Sequence, residues 1–197
     1  MEILEKLFGS KHRVKLMRLF IFNPEKFFER KDIAKRSKVP AAPLRRELNL
    51  LISIDFIKSR KVSVQKGKRR SSVMVWELNQ TFPLLQILRQ LLNADFLRRK
   101  TNITKRFKNC GRVKLLVVSG IFIDDDERRL DLLIVGENLK RPIIEKTIKT
   151  IEADVGRELT YAVLETEDFL YRAGTSDRFI RDIFDYPHEK VVDKLVF

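Results

Sequence analysis

A run of acidic residues, Asp124–Glu127, lies beyond the middle of the chain, and a further aspartate, Asp131, follows after three residues. Carboxylate oxygens from more than one chain position are the ligands that hard divalent cations such as Mg²⁺ prefer. The segment SGIFIDDDERRLDLLIVGE (residues 119–137) therefore raises the hypothesis of a metal site in a phosphate-handling enzyme. The alternative is an acidic turn, because aspartates favour turns by hydrogen bonding to nearby backbone amides and need no metal there.

Positive charge is concentrated in the first part of the chain. Residues 1–110 hold 27 Lys and Arg against 9 Asp and Glu, a net charge of +18, whereas residues 111–197 hold 14 against 18, a net charge of −4. This asymmetry predicts two modules, of which the first faces a polyanion. A solvated basic surface without a partner is the alternative, so the arrangement of the cations has to decide between them.

The rest of the composition excludes several classes of protein. The single Cys110 excludes an internal disulfide framework, and His12 and His188 lie far apart without a Cys/His cluster, so we expect no structural zinc site. No stretch approaches the ~18 apolar residues that a membrane span requires, and the charged N-terminus does not resemble a targeting segment. We therefore expect a globular cytoplasmic protein that has no membrane association.

Apolar spacing predicts three helices in the first 54 residues. The first runs from Ile3 to Phe22 and ends at Asn23-Pro24, because a residue before proline disfavours the helical conformation. The second covers Arg30–Lys38 and the third Ala41–Ile54. Leucines at spacings of four and three form the buried seam of the third helix: Leu44, Leu48 and Leu51. This orientation turns four residues outward: Ala42, Arg45, Arg46 and Asn49.

After Asp55 the pattern changes from helical spacing to alternation. Two β-branched runs, FIKSRKVSV (56–64) and SSVMVWEL (71–78), are joined by the basic segment QKGKRR. They predict a β-hairpin with five cations at or near its tip: Lys61, Lys66, Lys68, Arg69 and Arg70. Three helices followed by a basic hairpin is the order of a winged helix-turn-helix, whose third helix enters the major groove while the hairpin reaches the adjacent backbone.

The outward face of the third helix has the side chains that such a contact requires. Small Ala42 permits a close approach to DNA, Arg45 and Arg46 offer guanidinium groups to guanine or phosphate, and Asn49 can pair with adenine. We therefore predict that residues 1–80 bind double-stranded DNA. An interaction module whose basic residues are incidental is the alternative.

A strongly apolar helix is predicted over Phe82–Phe96, with Pro83 in its first turn, and a basic linker follows it up to residue 110. The apolar positions extend too far around this helix for packing on one side only: Leu84, Leu85, Ile87, Leu88, Leu91 and Leu92. One face could pack on the first module and the other on a second copy of the chain, which predicts a homodimer. Burial against the following domain of the same chain explains the pattern equally well.

Three segments together resemble a known prokaryotic family. They are LFGSKHRVKLMRLFIFNP (residues 7–24), KDIAKRSKVPAAPLRREL (31–48) and LDLLIVGE (130–137). The chain is similar, over essentially its whole length, to ArsR-type winged-helix regulators fused to a minimal nucleotidyltransferase-like domain. The resemblance implies an α+β fold, with a winged helix-turn-helix at 1–80 and a small mixed α/β nucleotidyltransferase-like domain at 111–197.

Members of this family with an intact second domain carry a Gly-Ser pair after one strand and an Asp-x-Asp pair on the next. Two carboxylates at alternate strand positions face one side and hold the metal, while the Gly-Ser pair grips phosphate. In this chain Gly120 matches the glycine and Asp131 the second aspartate, but Ile121 replaces the serine and Arg129 replaces the first aspartate. The resemblance therefore implies a degenerate site with no catalytic residue, no metal and no cofactor.

Residues 111–197 contain the elements of a small mixed sheet covered by helices. We predict two strands joined through the acidic run, followed by a helix from Pro142 to Gly156 and a strand at Leu159–Leu164. A helix capped at Thr166 comes next, and a last helix begins at Ser176-Asp177. The segment KVVDKLVF is predicted to add a terminal strand. The first of these helices is expected to turn five residues inward: Ile143, Ile144, Thr147, Ile148 and Ile151.

The leading hypothesis is a DNA-binding transcriptional regulator whose second domain serves dimerisation, sensing of an effector or binding of a protein partner, without catalysis. Two alternatives stay open. One is an active metal-dependent nucleotidyltransferase that modifies a protein or an RNA, and the other is an antitoxin-type protein with a DNA-binding module. Arg129 and Ile121 disfavour the enzyme, because they stand where a metal ligand and a phosphate-binding serine are required.

Overall fold

The computed structural model describes residues 3–66, 69–98, 103–123 and 130–195, with the backbone alone at 64–66, 69–70 and 95–98. Over these ranges the chain forms helices α1–α9 and strands β1–β7 in two sheets, so the expected mixed α+β class is confirmed. The chain divides into two compact units, the first made of Met1–Leu92 with Lys149–Arg157 and the second of Asn93–Ile148 with Glu158–Phe197.

The first unit begins with four helices: α1 (Ile3–Leu7), α2 (Lys11–Ile21), α3 (Arg30–Ser37) and α4 (Ala41–Ser53). The prediction of one helix over residues 3–22 is wrong, because the chain turns at Gly9, which has a φ of 72°. Ser10 then caps α2 by accepting a hydrogen bond from the Arg13 backbone N–H at 3.2 Å. The second and third predicted helices are confirmed, and each ends one residue earlier than expected.

A three-stranded antiparallel sheet belongs to the same unit. Its strands are β1 (Phe27–Glu29), β2 (Ile57–Lys66) and β3 (Arg69–Leu78), in the order β1-β3-β2. The predicted hairpin is confirmed, since Ile57 pairs with Leu78 at one end and Lys66 with Arg69 at the other. The sequence did not reveal β1, because three residues are too few for an alternating pattern.

The core of the first unit is built by the helices and this sheet. The seam predicted for α4 is confirmed by the burial of its leucines: Leu44, Leu48 and Leu51. Phe20 of α2 contacts Phe28 of β1 edge to face, with ring centroids 5.9 Å apart. Helix α5 (Leu85–Arg98) begins three residues later than predicted and adds Leu85 and Leu92 to the core.

Residues 149–157 include the end of α7 (Arg141–Val155) and belong to the first unit. The carbonyl oxygen of Asp154 accepts a hydrogen bond from the Arg18 guanidinium at 2.9 Å, and that of Gly156 accepts one from the Asn23 side-chain amide at 2.7 Å. Gly156 has a φ of 89°, and a Cβ at this position would lie 2.5 Å from the backbone carbon of Arg18. Glycine is therefore required at the end of α7.

A four-stranded mixed sheet forms the centre of the second unit. Its strands are β4 (Arg112–Ser119), β5 (Leu132–Glu137), β6 (Tyr161–Glu165) and β7 (His188–Asp193), in the order β6-β5-β4-β7. Strands β5 and β6 are parallel and the other pairs antiparallel. The antiparallel pair on either side of the acidic run is thus confirmed. A terminal strand is present as predicted, but it begins two residues earlier, at His188, and ends at Asp193. Strand β6 begins two residues later than predicted.

The second unit also contains α6 (Ile103–Arg106), α8 (Thr166–Gly174) and α9 (Arg178–Asp185). The helix predicted to begin at Ser176-Asp177 is confirmed as α9, and Asp177 caps it by accepting hydrogen bonds from the N–H groups of Phe179 and Ile180. The predicted cap at Thr166 is wrong, since Glu165 holds the cap position and Thr166 is the first helical residue. Ile143 of α7 is exposed rather than turned inward. In the part of the chain that is described, no helix has the length and apolarity to cross a membrane.

Candidate functional site

The outward face of α4 carries the four residues predicted to contact DNA. Ala42, Arg45, Arg46 and Asn49 are all exposed, and their spacing places them on one side of the helix. Within the described residues, the side chains of Arg45 and Arg46 form no hydrogen bond or ion pair. Both guanidinium groups can therefore bind an external acceptor.

The single acidic residue of α4, Glu47, lies on the other side of the helix. Glu47 is buried, and its Oε2 accepts a hydrogen bond from Arg13 Nε at 2.9 Å. Arg13 Nη1 also donates to the carbonyl oxygen of Phe8 at 2.7 Å, which fixes the guanidinium. The charge of Glu47 is thus balanced inside the unit by a charge-assisted hydrogen bond. The outward face of α4 is left with positive charge only.

Helix α3 adds cations that the sequence reasoning did not select. Arg30, Lys31 and Lys35 are exposed. Arg30 Nη2 lies 3.4 Å from the carbonyl oxygen of Ala41, so the start of α3 lies beside the start of α4. Lys31 and Lys35 are four residues apart, so their spacing predicts that both lie on one face of the helix. Ile33, between them in the chain, is buried, so the lysines lie on the opposite, exposed face.

The register of the hairpin brings the backbones of three predicted contact residues close together. The backbones of Lys66, Arg69 and Arg70 lie at the turn, where Lys66 pairs with Arg69 and Gln65 with Arg70. Lys68 lies outside the described residues. Lys61 is exposed, but it lies five positions before Lys66 in the strand, at a distance of roughly 17 Å along the backbone. Lys61 therefore lies on the side of the hairpin and not at its turn.

The second candidate region surrounds Asp131, which is fully buried. Its Oδ1 accepts a hydrogen bond from the Ile121 backbone N–H at 3.1 Å, and its Oδ2 accepts one from the Thr160 backbone N–H at 2.9 Å. The Asp131 N–H in turn donates to the carbonyl oxygen of Thr160 at 2.7 Å. Asp131 thus joins the turn after β4 to the segment before β6.

The positions that the resemblance assigns to phosphate binding lie in a short 3-10 turn, Gly120–Phe122, directly after β4. Gly120 has a φ of 57°, and Ile121 is buried. The nearest hydroxyl, Ser119 Oγ, donates to the carbonyl oxygen of Leu130 at 2.9 Å. Arg129 and the acidic run Asp124–Glu127 lie outside the described residues. The Asp131 region therefore presents buried apolar atoms and a hydroxyl that is already hydrogen-bonded.

The described part of the chain contains no group of three or more His, Cys, Asp or Glu side chains placed to hold a metal ion. Burial raises the pKa of the Cys110 thiol, although its contact with Thr147 Oγ1 at 3.8 Å acts in the opposite direction. A nucleophilic cysteine requires a lowered pKa, so Cys110 is a structural residue.

Neither the models of known protein families nor the curated proteins match this chain.

Proposed function

We propose that this protein is a DNA-binding transcriptional regulator in which residues 1–80 form a winged helix-turn-helix. The order α2, α3, α4 and the β2–β3 hairpin matches that fold, with α4 as the recognition helix and the hairpin as the wing. The observation that carries the proposal is the outward face of α4. Arg45 and Arg46 are exposed there, while the only acid of the helix, Glu47, is paired with Arg13.

In this proposal α4 enters the major groove of duplex DNA. Arg45 and Arg46 donate to guanine or to phosphate, Asn49 pairs with adenine, and Ala42 allows the helix to approach the bases. The wing cations contact phosphates of the adjacent backbone: Lys66, Lys68, Arg69 and Arg70. The exposed lysines of α3 add further phosphate contacts, which position the protein without reading sequence.

We also propose that residues 111–197 form a nucleotidyltransferase-like domain without catalytic activity, which serves dimerisation, sensing or partner binding. The surroundings of Asp131 support this, because its carboxylate is fully buried and already accepts hydrogen bonds from the N–H groups of Ile121 and Thr160. The sequence also has a cation, Arg129, where an Asp-x-Asp metal site requires its first carboxylate. One carboxylate with a cation two positions before it in the chain is a poor site for a divalent ion.

Titration of duplex DNA tests the proposal. A pool of random-sequence duplexes is selected on the parent protein, and the enriched duplex is titrated with the parent and with Arg45→Ala/Arg46→Ala. Each bidentate contact contributes about 1–3 kcal/mol, so we expect the variant to bind at least tenfold more weakly.

The matched control is Arg178→Ala/Arg181→Ala, which also removes two exposed cations but from α9. We expect its affinity to stay close to that of the parent. Equal affinity of the parent and the α4 variant would exclude α4 as the recognition helix.

A further inference from the structure

A groove of about 520 Å³ lies in the second unit. It follows the first half of β4, whereas Gly120 and Asp131 lie at the opposite end of that strand. Five of its lining residues are cations: Lys105, Lys108, Arg112, Lys114 and Lys194. None of the described residues that line the groove is acidic. The volume is within the range of about 300–1,000 Å³ that is typical of small-molecule sites.

The surface between the cations is mainly apolar. Phe107 and Leu116 are buried side chains that line the groove, and Val192 of β7 lies beside them. The backbone N–H of Lys194 donates to the carbonyl oxygen of Lys114 at 2.8 Å, which holds the end of β7 against β4. The groove thus combines an apolar floor with a cationic rim, as sites for organic anions do.

The cations of the rim are only partly neutralised. Glu137 lies 3.2 Å from Lys114 Nζ and 3.9 Å from Arg112 Nη1, so one carboxylate serves two cations. Lys105, Lys108 and Lys194 have no ion-pair partner within the described part of the chain. Like charges that surround a concave surface repel one another, and an anion in the groove would relieve this repulsion.

We propose that this groove binds a phosphorylated small molecule that also has an aromatic or apolar part. The phosphate groups lie among Lys105, Lys108 and Lys194, because ammonium groups are effective point charges for phosphate. The aromatic or apolar part packs on Val113 and Val192, which line the groove and are partly exposed. A DNA backbone fits less well, since a duplex would leave the concave apolar floor unfilled. The proposal does not depend on DNA binding by the first unit, because every residue it uses lies in the second.

Calorimetric titration of the full chain tests the groove with three probes in a buffer that contains a metal chelator. Pyrophosphate supplies the charge, adenosine supplies the aromatic surface, and adenosine diphosphate supplies both. We expect one molecule of adenosine diphosphate to bind per chain, more tightly than pyrophosphate and much more tightly than adenosine. The chelator suppresses any metal-dependent binding around Asp131.

Two variants locate the binding. Lys105→Ala/Lys108→Ala removes two exposed rim cations, and we expect it to weaken adenosine diphosphate binding by about tenfold or more. Lys194→Ala removes the third unpaired cation from a different element and should weaken binding in the same direction. The control Arg178→Ala/Arg181→Ala, with the same change of charge in the same unit, should bind like the parent. Thermal unfolding of each variant checks that the fold is retained.

Three results would overturn the proposal. One is the absence of saturable heat with adenosine diphosphate and with pyrophosphate at millimolar concentration. The second is an equal loss of adenosine diphosphate binding in the control. The third is a duplex DNA affinity that falls in Lys105→Ala/Lys108→Ala as far as in Arg45→Ala/Arg46→Ala, which would make the groove a nucleic-acid contact. Loss of adenosine diphosphate binding with unchanged DNA affinity supports the groove, whether or not the first unit reads DNA as proposed.

Discussion

At the scale of single residues, Asp131 stabilises the second unit through its carboxylate. Asp131→Ala would leave the buried N–H group of Ile121 and the partly buried N–H group of Thr160 without their acceptor. We expect this change to lower the free energy of unfolding by about 2–4 kcal/mol, measured by chemical denaturation. The control is Asp168→Ala, which removes an exposed i,i+4 pair with Arg172 and should leave the free energy of unfolding nearly unchanged. Equal effects of the two substitutions would contradict the structural role of Asp131.

The same residue gives a prediction about metal binding. Because Asp131 is fully buried and Arg129 stands two positions before it in the chain, calorimetry of the parent protein with manganese should show no heat at micromolar metal. Arg129→Asp, which introduces an aspartate at that position, is titrated beside it. Stoichiometric binding by the parent that Asp131→Ala abolishes would instead favour the nucleotidyltransferase alternative.

Gly156 is a position where only glycine fits. Gly156→Ala would place a Cβ 2.5 Å from the Arg18 backbone at a φ of 89°, so both the contact and the backbone conformation would be strained. We expect a loss of about 2–5 kcal/mol of stability in thermal or chemical unfolding. Gly174→Ala is the matched control, because nothing lies within 4 Å of a Cβ there. An equally stable Gly156→Ala protein would show that this contact does not form.

The outward direction of Arg45 and Arg46 could be predicted from the sequence, whereas the role of Asp131 could not. Periodicity was sufficient to predict that Arg45 and Arg46 face outward, because the buried seam of their own helix fixes the opposite face. It could not reveal the role of Asp131, whose hydrogen-bond partners Ile121 and Thr160 lie 10 and 29 residues away in the chain. Such contacts depend on the strand order of the sheet, which no local pattern encodes.

At the scale of elements, long periodic segments were predictable and short ones were not. Helices α3 and α4 and both strands of the hairpin lie where the apolar spacing predicts them. Strand β1 has three residues and α6 has four, so neither contains a full repeat. Strand β1 exists because Phe27–Glu29 pairs with β3, and that partner lies about fifty residues away.

The hairpin gives a prediction of its own under the proposal that it is a wing. Replacing Lys66, Lys68, Arg69 and Arg70 by Ala should weaken binding to all duplexes alike, because phosphate contacts carry no sequence information. Each phosphate contact contributes about −0.9 to the slope of log affinity against log salt, so the slope should become shallower by up to about 3.6. Titration across a series of salt concentrations measures it. A slope equal to that of the parent would exclude contact between the hairpin tip and DNA.

At the scale of the whole molecule, the uneven charge predicted two modules, but their limits depend on distant contacts. Residues 149–157 belong to the first unit through hydrogen bonds between residues more than 130 positions apart, such as Asn23 with Gly156. No change in amino-acid composition marks the point where the chain enters the first unit again. The charge pattern predicts two modules, but it does not predict that residues 149–157 belong to the first unit.

The last prediction concerns assembly, because α5 and the residue before it expose an apolar stripe. Leu84, Ile87 and Leu91 are spaced by three and four residues, and Ile87 is 63% exposed. The other side of α5 is already buried in the core, so this stripe is available to a second copy of the chain. A dimer would also supply the two recognition helices that the proposed DNA binding uses at paired half-sites.

Light scattering on the full chain measures this directly, and we expect twice the 23.3 kDa mass of one chain. Ile87→Glu/Leu91→Glu places two like charges in the stripe, where burial in a dimer would leave them unpaired, so this variant should scatter as a monomer. Tyr171→Glu is the control, because it adds a charge at an exposed apolar residue of α8 and should leave the dimer intact. A parent mass near 23.3 kDa across micromolar concentrations would exclude the dimer. DNA would then have to be bound by one recognition helix, which predicts a single half-site rather than a palindrome in the enriched duplexes.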